Sequence, residues 1–180
     1  MAGRAPKAAV RSKTAGERFA VIVARFNEAI SKKLLDGALE ALAAHGVGSE
    51  AAEVHWVPGS FELPQAAAAL AKTGRYSAII CLGVVVKGQT PHFELVAGAA
   101  AQGITRAALA SGVPVSFGVV TALTEEQAWE RAGGAVGNRG EEAAAAALEM
   151  ARWTRGLTTG RAGRGGVGRR RRGARSPRRR

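Results

Sequence analysis

The chain has 180 residues, 47% hydrophobic but only 5% aromatic, with one cysteine and a formal net charge of +12. That suits a single domain with a core of its own, built on tight helix packing with few large side chains. It excludes a disulfide within the chain; no apolar run approaches membrane-spanning length and the N-terminus has no signal-peptide apolar segment, so a cytoplasmic protein is the expectation.

Residues 1–17 read as a flexible basic segment, since residues 1–18 hold five Lys or Arg and one acid, Glu17. The folded domain is expected over 18–155. Phe19 to Ala24 is an apolar run of strand length. Asn27 stands where it can cap a helix bearing Ile30, Leu34, Leu35, Ala38, Leu39 and Leu42 at helical spacing, ended by Gly46. Ala52 to Val57 reads as a second strand, stopped by Pro58-Gly59. Ser60 is the expected cap of a helix to about Lys72, ended by Gly74.

Ser77 to Val86 is the third strand, with Cys81 as a small core residue rather than a nucleophile. Gly88 lies in the turn that follows. Thr90 suits an N-cap and Pro91 the first helical position of a long helix to about Ala110. Val113 to Val120 is the fourth strand. Thr124 with Gln127 forms a capping box for a short helix ending near Gly133. Asn138 with Glu141 is a similar signal, opening a last helix to about Arg155.

Residues 156–180 hold ten arginines, seven glycines and no acid, whereas residues 19–155 hold eleven basic and thirteen acidic residues. The positive charge therefore sits at the two ends of a mildly acidic body. The 156–180 tail has almost nothing to bury and is expected to be disordered. Such a tail can bind polyanions or RNA without sequence preference; a solubilising extension is the competing reading.

Apolar strands alternating with helices predict an α/β fold: a three-layer αβα sandwich around a four-stranded parallel sheet of flavodoxin-like order. In such sheets ligands bind outside the carboxyl ends of the strands. Those ends carry Arg25-Phe26-Asn27, Pro58 through Glu62, and Gly83 through His92, and all three loops can reach one place. The third is the most informative. His92 falls in a helix's first turn, where an imidazole can take and return protons near neutral pH. Free backbone N–H groups around Gly88 to Thr90 can hold an anion. The pair suggests chemistry on a phosphorylated metabolite. Strand–glycine–helix junctions are also common in α/β proteins without any chemistry, so the segment alone does not decide.

There is no P-loop, dinucleotide fingerprint or CxxC pair, and His45, His55 and His92 show no metal-ligand spacing. His45 reads as a solvated residue, and His55 and Trp56 as packing in their strand.

Five segments in order carry a resemblance. They are Arg25-Phe26-Asn27, Val57 through Pro64, Leu82 through Glu94, Phe117-Gly118-Val119 and Glu130-Arg131-Ala132-Gly133. Together they resemble 6,7-dimethyl-8-ribityllumazine synthases, over about residues 18 to 152 and with compatible spacing. The resemblance implies condensation of 5-amino-6-(D-ribitylamino)uracil with 3,4-dihydroxy-2-butanone 4-phosphate, the penultimate step of riboflavin biosynthesis, with no metal and no organic cofactor. It implies a homo-oligomer, a pentamer or a sixty-subunit icosahedral shell, and allows riboflavin synthase as a partner.

It also implies residue roles. Phe26 matches an aromatic that stacks on the pyrimidine; read by itself it serves equally as a staple for its helix. Ser60, Phe61 and Glu62 match the segment that contacts the ribityl-pyrimidine, and Val84, Val85 and Val86 the backbone that lines the pyrimidine. Many relatives carry threonine where Val84 stands, so a hydroxyl is missing there. Gln89 and Thr90 match the phosphate-binding turn. Arg131 matches an arginine that clamps the phosphate; by itself it reads as a solvated charge ending a helix. His92 matches a general acid/base. Phe117 matches an aromatic supplied by a neighbouring subunit. Arg139 stands where many relatives carry lysine, so the charge is kept while the geometry differs.

Two other classes stay open: a flavin- or pterin-binding module without turnover, and a nucleic-acid-binding protein acting through its tail.

Overall fold

The computed structural model describes residues 16–162, with side-chain surroundings to residue 157. Four strands, β1 (Phe19–Ala24), β2 (Ala52–Val57), β3 (Ala78–Val86) and β4 (Val115–Ala122), form one parallel sheet in the order β2-β1-β3-β4. The helices are α1 (Glu28–Ala44), α2 (Leu63–Lys72), α3 (His92–Ser111), α4 (Glu125–Glu130) and α5 (Arg139–Ala162). This is the expected flavodoxin-like αβα sandwich.

Alternation along the strands builds two cores. Phe19, Val21 and Val23 with Ile80, Leu82 and Val84 face α1 and α5, meeting Leu34, Ala38, Leu42, Ala144 and Leu148. Ala20 and Ile22 with Ile79, Cys81 and Val85 face α2 and α3, meeting Leu63, Ala67 and Ile104. Each fully buried Leu, Ile, Val or Phe contributes roughly 1.5–3 kcal/mol. Small residues let α5 close onto α1. Ala143, Ala144, Ala147 and Ala151 are buried, and a Cβ at Gly140 would overlap the Leu34 carbonyl oxygen. At the other end of the sheet, buried Glu17 meets Arg155 of α5, Oε1 to Nη1, at 2.7 Å.

Several local expectations need correction. Ser60 does not cap α2: the N-cap is Glu62, whose carbonyl accepts from Ala66 N–H at 3.1 Å, and Pro64 sits in the first turn. A turn with Glu62 N–H on the Gly59 carbonyl intervenes. Thr90 does not cap α3. Pro91 is the N-cap, because its carbonyl takes the bonds from Glu94 and Leu95 N–H, and no side chain caps that helix.

β4 starts and ends two residues later than expected. A small antiparallel ribbon, β5 (Ala132–Gly134) with β6 (Gly137–Asn138), was not foreseen; Ala132-Gly133-Gly134 has no side-chain periodicity to announce it. α5 runs to Ala162, past the expected stop at Arg155, since neither Gly156 nor Gly160 breaks the ladder. The remaining tail and residues 1–15 lie outside the described residues. Among the described residues no helix is long and apolar enough to cross a membrane.

Candidate active site

The order β2-β1-β3-β4 puts a topological switch between β1 and β3: the chain leaves β1 toward β2, then crosses back to β3. In open α/β sheets the loops diverge at such a switch and leave a crevice outside the strand ends. The first loop, Arg25 to Asn27, is bound to the second by main-chain bonds. Arg25 N–H donates to the Val57 carbonyl at 2.8 Å and Phe26 N–H to the Pro58 carbonyl at 3.0 Å. Phe26 is left 72% exposed, and Phe61 60%. Large aromatic rings held at a crevice without cover are the kind of exposed apolar surface that calls for a ligand or partner.

Glu62 turns back over Gly59, so a Cβ at Gly59 would lie 3.2 Å from Glu62 Oε2 and 4.0 Å from Phe26 Cβ. Ser60 is buried, with its hydroxyl unpaired and packed over Gly83 of β3. Asn27 Nδ2 donates to the Val84 carbonyl at 3.2 Å and joins the first loop to β3. Val84 and Val85 are buried and Val86 half-buried, so these three offer backbone more than side chain. Lys87 N–H donates to the Ala122 carbonyl at 2.9 Å, and Lys87 Nζ lies 3.8 Å from Glu94 Oε1. Beyond Lys87, residues Gly88, Gln89, Thr90, Pro91 and His92 are all exposed around the start of α3.

Phe26, Ser60, Phe61, Glu62, Val84–Val86, Gln89, Thr90 and His92 thus share one end of the sheet. Phe117, Arg131 and Arg139 do not join them. Phe117 sits on the edge strand β4 opposite Cys81, 45% exposed; Val84 is three residues further along β3, roughly 10 Å away along the strand. Arg131 ends α4, with Nη1 donating to the Gln127 carbonyl at 2.9 Å, and its own carbonyl accepts from Arg139 N–H at 2.8 Å. Arg139 pairs with Glu142. Ala132, beside Arg131, is buried in the α1/α5 core, whereas Phe93, beside His92, packs against the α2/α3 core. The chain after Arg131 thus joins the α1/α5 side of the sheet, whereas the chain after His92 joins the α2/α3 side.

The Asn27–Val84 bond escaped the reading of Asn27 as a helix cap. The available signal was an asparagine at a strand-to-helix turn, a residue type that tolerates left-handed backbone.

Outside the crevice, Glu53 of β2 gathers Tyr76 Oη at 2.5 Å, His55 Nε2 at 3.3 Å and the guanidinium groups of Arg18 and Arg75 at 3.7 Å. The Tyr76 hydrogen bond is the main cause holding the Glu53 carboxyl below its usual range. Burial, then Glu53, pushes the Tyr76 phenol up. Burial pushes the Cys81 thiol up to about 12, which fits an inert core residue. His45 is exposed, with Nδ1 2.8 Å from the Ala41 carbonyl. Among the described residues no three His, Cys, Asp or Glu side chains gather as metal ligands.

The sequence model of 6,7-dimethyl-8-ribityllumazine synthase matches residues 16–155, most of the 180-residue chain. The chain belongs to the 6,7-dimethyl-8-ribityllumazine synthase family, enzymes of riboflavin biosynthesis.

Proposed function

We propose that the protein is a transferase that condenses 5-amino-6-(D-ribitylamino)uracil with 3,4-dihydroxy-2-butanone 4-phosphate, releasing phosphate and water. The observation that carries this reading is the exposed Phe26 ring at the switch-point crevice, with His92 exposed on the adjoining loop. Phe26 stacks on the flat pyrimidine, where an offset aromatic pair contributes about 0.5–1.5 kcal/mol beyond buried area. Ser60, Phe61 and Glu62 bind the ribityl chain; the buried Ser60 hydroxyl leaves its main chain to make the contact. The Val84–Val86 backbone lines the pyrimidine. Gln89 and Thr90 hold the phosphate of the second substrate. His92 moves the protons as the amine adds to the ketone and loses water, phosphate leaves, and the second ring closes with loss of a second water.

Phe117, Arg131 and Arg139 serve the same site in a neighbouring copy. The distance of Phe117 from Val84 along the strands, and the attachment of Arg131 to the sheet face opposite that of His92, support a shared site, and with it a homo-oligomer of pentameric or icosahedral form. Arg131 supplies a forked guanidinium for the phosphate. The enzyme works in the cytoplasm on small-molecule substrates, with no cofactor, and riboflavin synthase is the partner that its product suits.

Incubation of the protein with both substrates tests the reaction: the fluorescent lumazine is expected. Binding of the pyrimidine without product would make the protein a binding module. Co-expression of His92→Ala with Arg131→Ala tests the shared site. His92→Ala alone is expected to slow turnover about 10²-fold, the low end for a positioned acid/base because the amine is already nucleophilic. Arg131→Ala loses about 1.5–3 kcal/mol of phosphate binding. Mixed oligomers contain some interfaces with both residues intact, so activity returns in part. Activity no higher than the two variants' average would sink the shared site.

A further inference from the structure

Asn27 is the only non-glycine residue with left-handed backbone among the described residues, at φ 61°. It is also the N-cap of α1, yet its side chain makes no capping bond there. Its carbonyl starts the helix by accepting from Ile30 and Ser31 N–H. Glycine adopts this conformation without penalty, and asparagine does not fully escape it. An asparagine that neither caps its helix nor packs in the core has another use for its amide.

That use is visible across the sheet. The β1–β3 register ends at Val23 opposite Leu82, so Val84 lies beyond the last paired position. Its carbonyl receives Asn27 Nδ2 instead, at 3.2 Å. One turn is therefore tied on both sides: to the β2–α2 loop through Arg25 and Phe26 N–H, and to β3 through Asn27. The residue before Asn27 is Phe26. The residues after Val84 are the backbone that ends β3.

We infer that Asn27 is a positioning residue: its amide, bonded to the Val84 carbonyl, sets the spacing between the Phe26 ring and the Val84–Val86 backbone, the opening that admits a flat heterocycle. The inference rests on the reading of this crevice as the pyrimidine site.

The test uses the full-length protein. Asn27→Gly keeps the left-handed backbone and removes the amide. Asn27→Asp keeps the shape but turns carboxylate oxygens toward the Val84 carbonyl. Both are expected to raise KM for the ribitylamino-pyrimidine by about 3- to 10-fold, the equivalent of one lost hydrogen bond, and to leave KM for the butanone phosphate nearly unchanged. Hydrogen exchange at the Arg25 and Phe26 amides should quicken in both.

Unchanged pyrimidine KM in Asn27→Gly overturns the inference, whether or not exchange quickens, because faster exchange alone marks a merely structural bond. Equal loss for both substrates overturns it too. If the wild-type protein forms no lumazine, the enzymatic reading fails on its own. Calorimetric titration of a ribitylamino-pyrimidine analogue into wild type and Asn27→Gly then decides the role of Asn27: weaker binding by the variant upholds it, and equal binding overturns it.

Discussion

Ser60 and Gly83 share a space that holds a hydroxyl and nothing larger: a Cβ at Gly83 would stand 2.5 Å from Ser60 Oγ and 3.2 Å from Leu63 Cδ1. The contact clamps the β2–α2 loop onto β3 just below the crevice. Gly83→Ala is expected to destabilise the fold by about 1–3 kcal/mol through overpacking. Ser60→Ala should be neutral or stabilising, because the buried hydroxyl has no partner to lose. The double variant should recover much of the stability lost by Gly83→Ala, since residues in contact couple by about 0.5–3 kcal/mol. Urea denaturation of the four proteins measures this, and strictly additive effects would show that the clash is relieved elsewhere.

Phe26→Ala separates a stacking platform from a helix staple. The ring is 72% exposed, so its removal should leave the urea midpoint almost unchanged. Pyrimidine binding should weaken by about 0.5–1.5 kcal/mol beyond lost area. Titration of a ribitylamino-pyrimidine analogue into both proteins checks this. A lowered midpoint with unchanged affinity would make Phe26 the staple.

Where side-chain periodicity or cap chemistry decides local structure, the chain is legible. β2 falls on Ala52–Val57 as expected from its flanking Pro58-Gly59. Thr124 caps α4, its Oγ1 accepting from Gln127 N–H at 3.3 Å. Reciprocally, Gln127 Oε1 accepts from Leu123 N–H, one residue before the cap, at 3.0 Å. Asn138 Oδ1 accepts from Gly140 N–H at 2.8 Å at the start of α5. Ser60 and Thr90 mislead because cap-type residues suit turns as well: a Gly59–Glu62 turn precedes α2, and α3 starts one residue later than expected, behind Pro91.

The crevice was legible in part, since ligand sites of open α/β sheets lie outside the carboxyl ends of the strands, a rule that places those ends together without any distance. That Arg131 and His92 lead into opposite faces of the sheet was not legible. Nothing in their spacing records which face each helix covers, and the β5–β6 ribbon that carries Arg131 to Arg139 has no hydrophobic pattern.

The Glu53–Tyr76 pair predicts an acid-side weakness. Glu53 is held below its usual range, first by the Tyr76 hydroxyl. A carboxyl depressed in the folded state stabilises it above the unfolded pKa, about 4.3, and that contribution disappears as pH falls through the folded value. Tyr76→Phe removes the main cause of the depression. The Tm of wild type should therefore fall more steeply than that of Tyr76→Phe as pH drops below about 4. Parallel Tm curves on the acid side would assign the pair no part in stability.

The tail prediction is the one most particular to this chain. α5 continues to Ala162, so a cut after Arg155 would remove helix as well as tail. A cut after Ala162 removes nine of the ten arginines of residues 156–180, leaving Arg161. It also spares Arg155, whose guanidinium meets the buried Glu17 carboxylate. The body over residues 19–155 has more acidic than basic residues, so it offers no net positive charge to a polyanion, and the chain ending at Ala162 keeps, besides Arg161, only the smaller basic segment at residues 1–18. Repeated on each subunit of an oligomer, the arginines would release many counterions on contact with RNA, giving steep salt dependence and little sequence preference. Binding of a mixed-sequence RNA by the full chain should fall sharply between about 50 and 200 mM salt. The chain ending at Ala162 should bind weakly at every salt concentration, with lumazine formation intact. Equal RNA binding by both chains would sink the tail hypothesis, and loss of catalysis on truncation would show that residues beyond Ala162 belong to the enzyme.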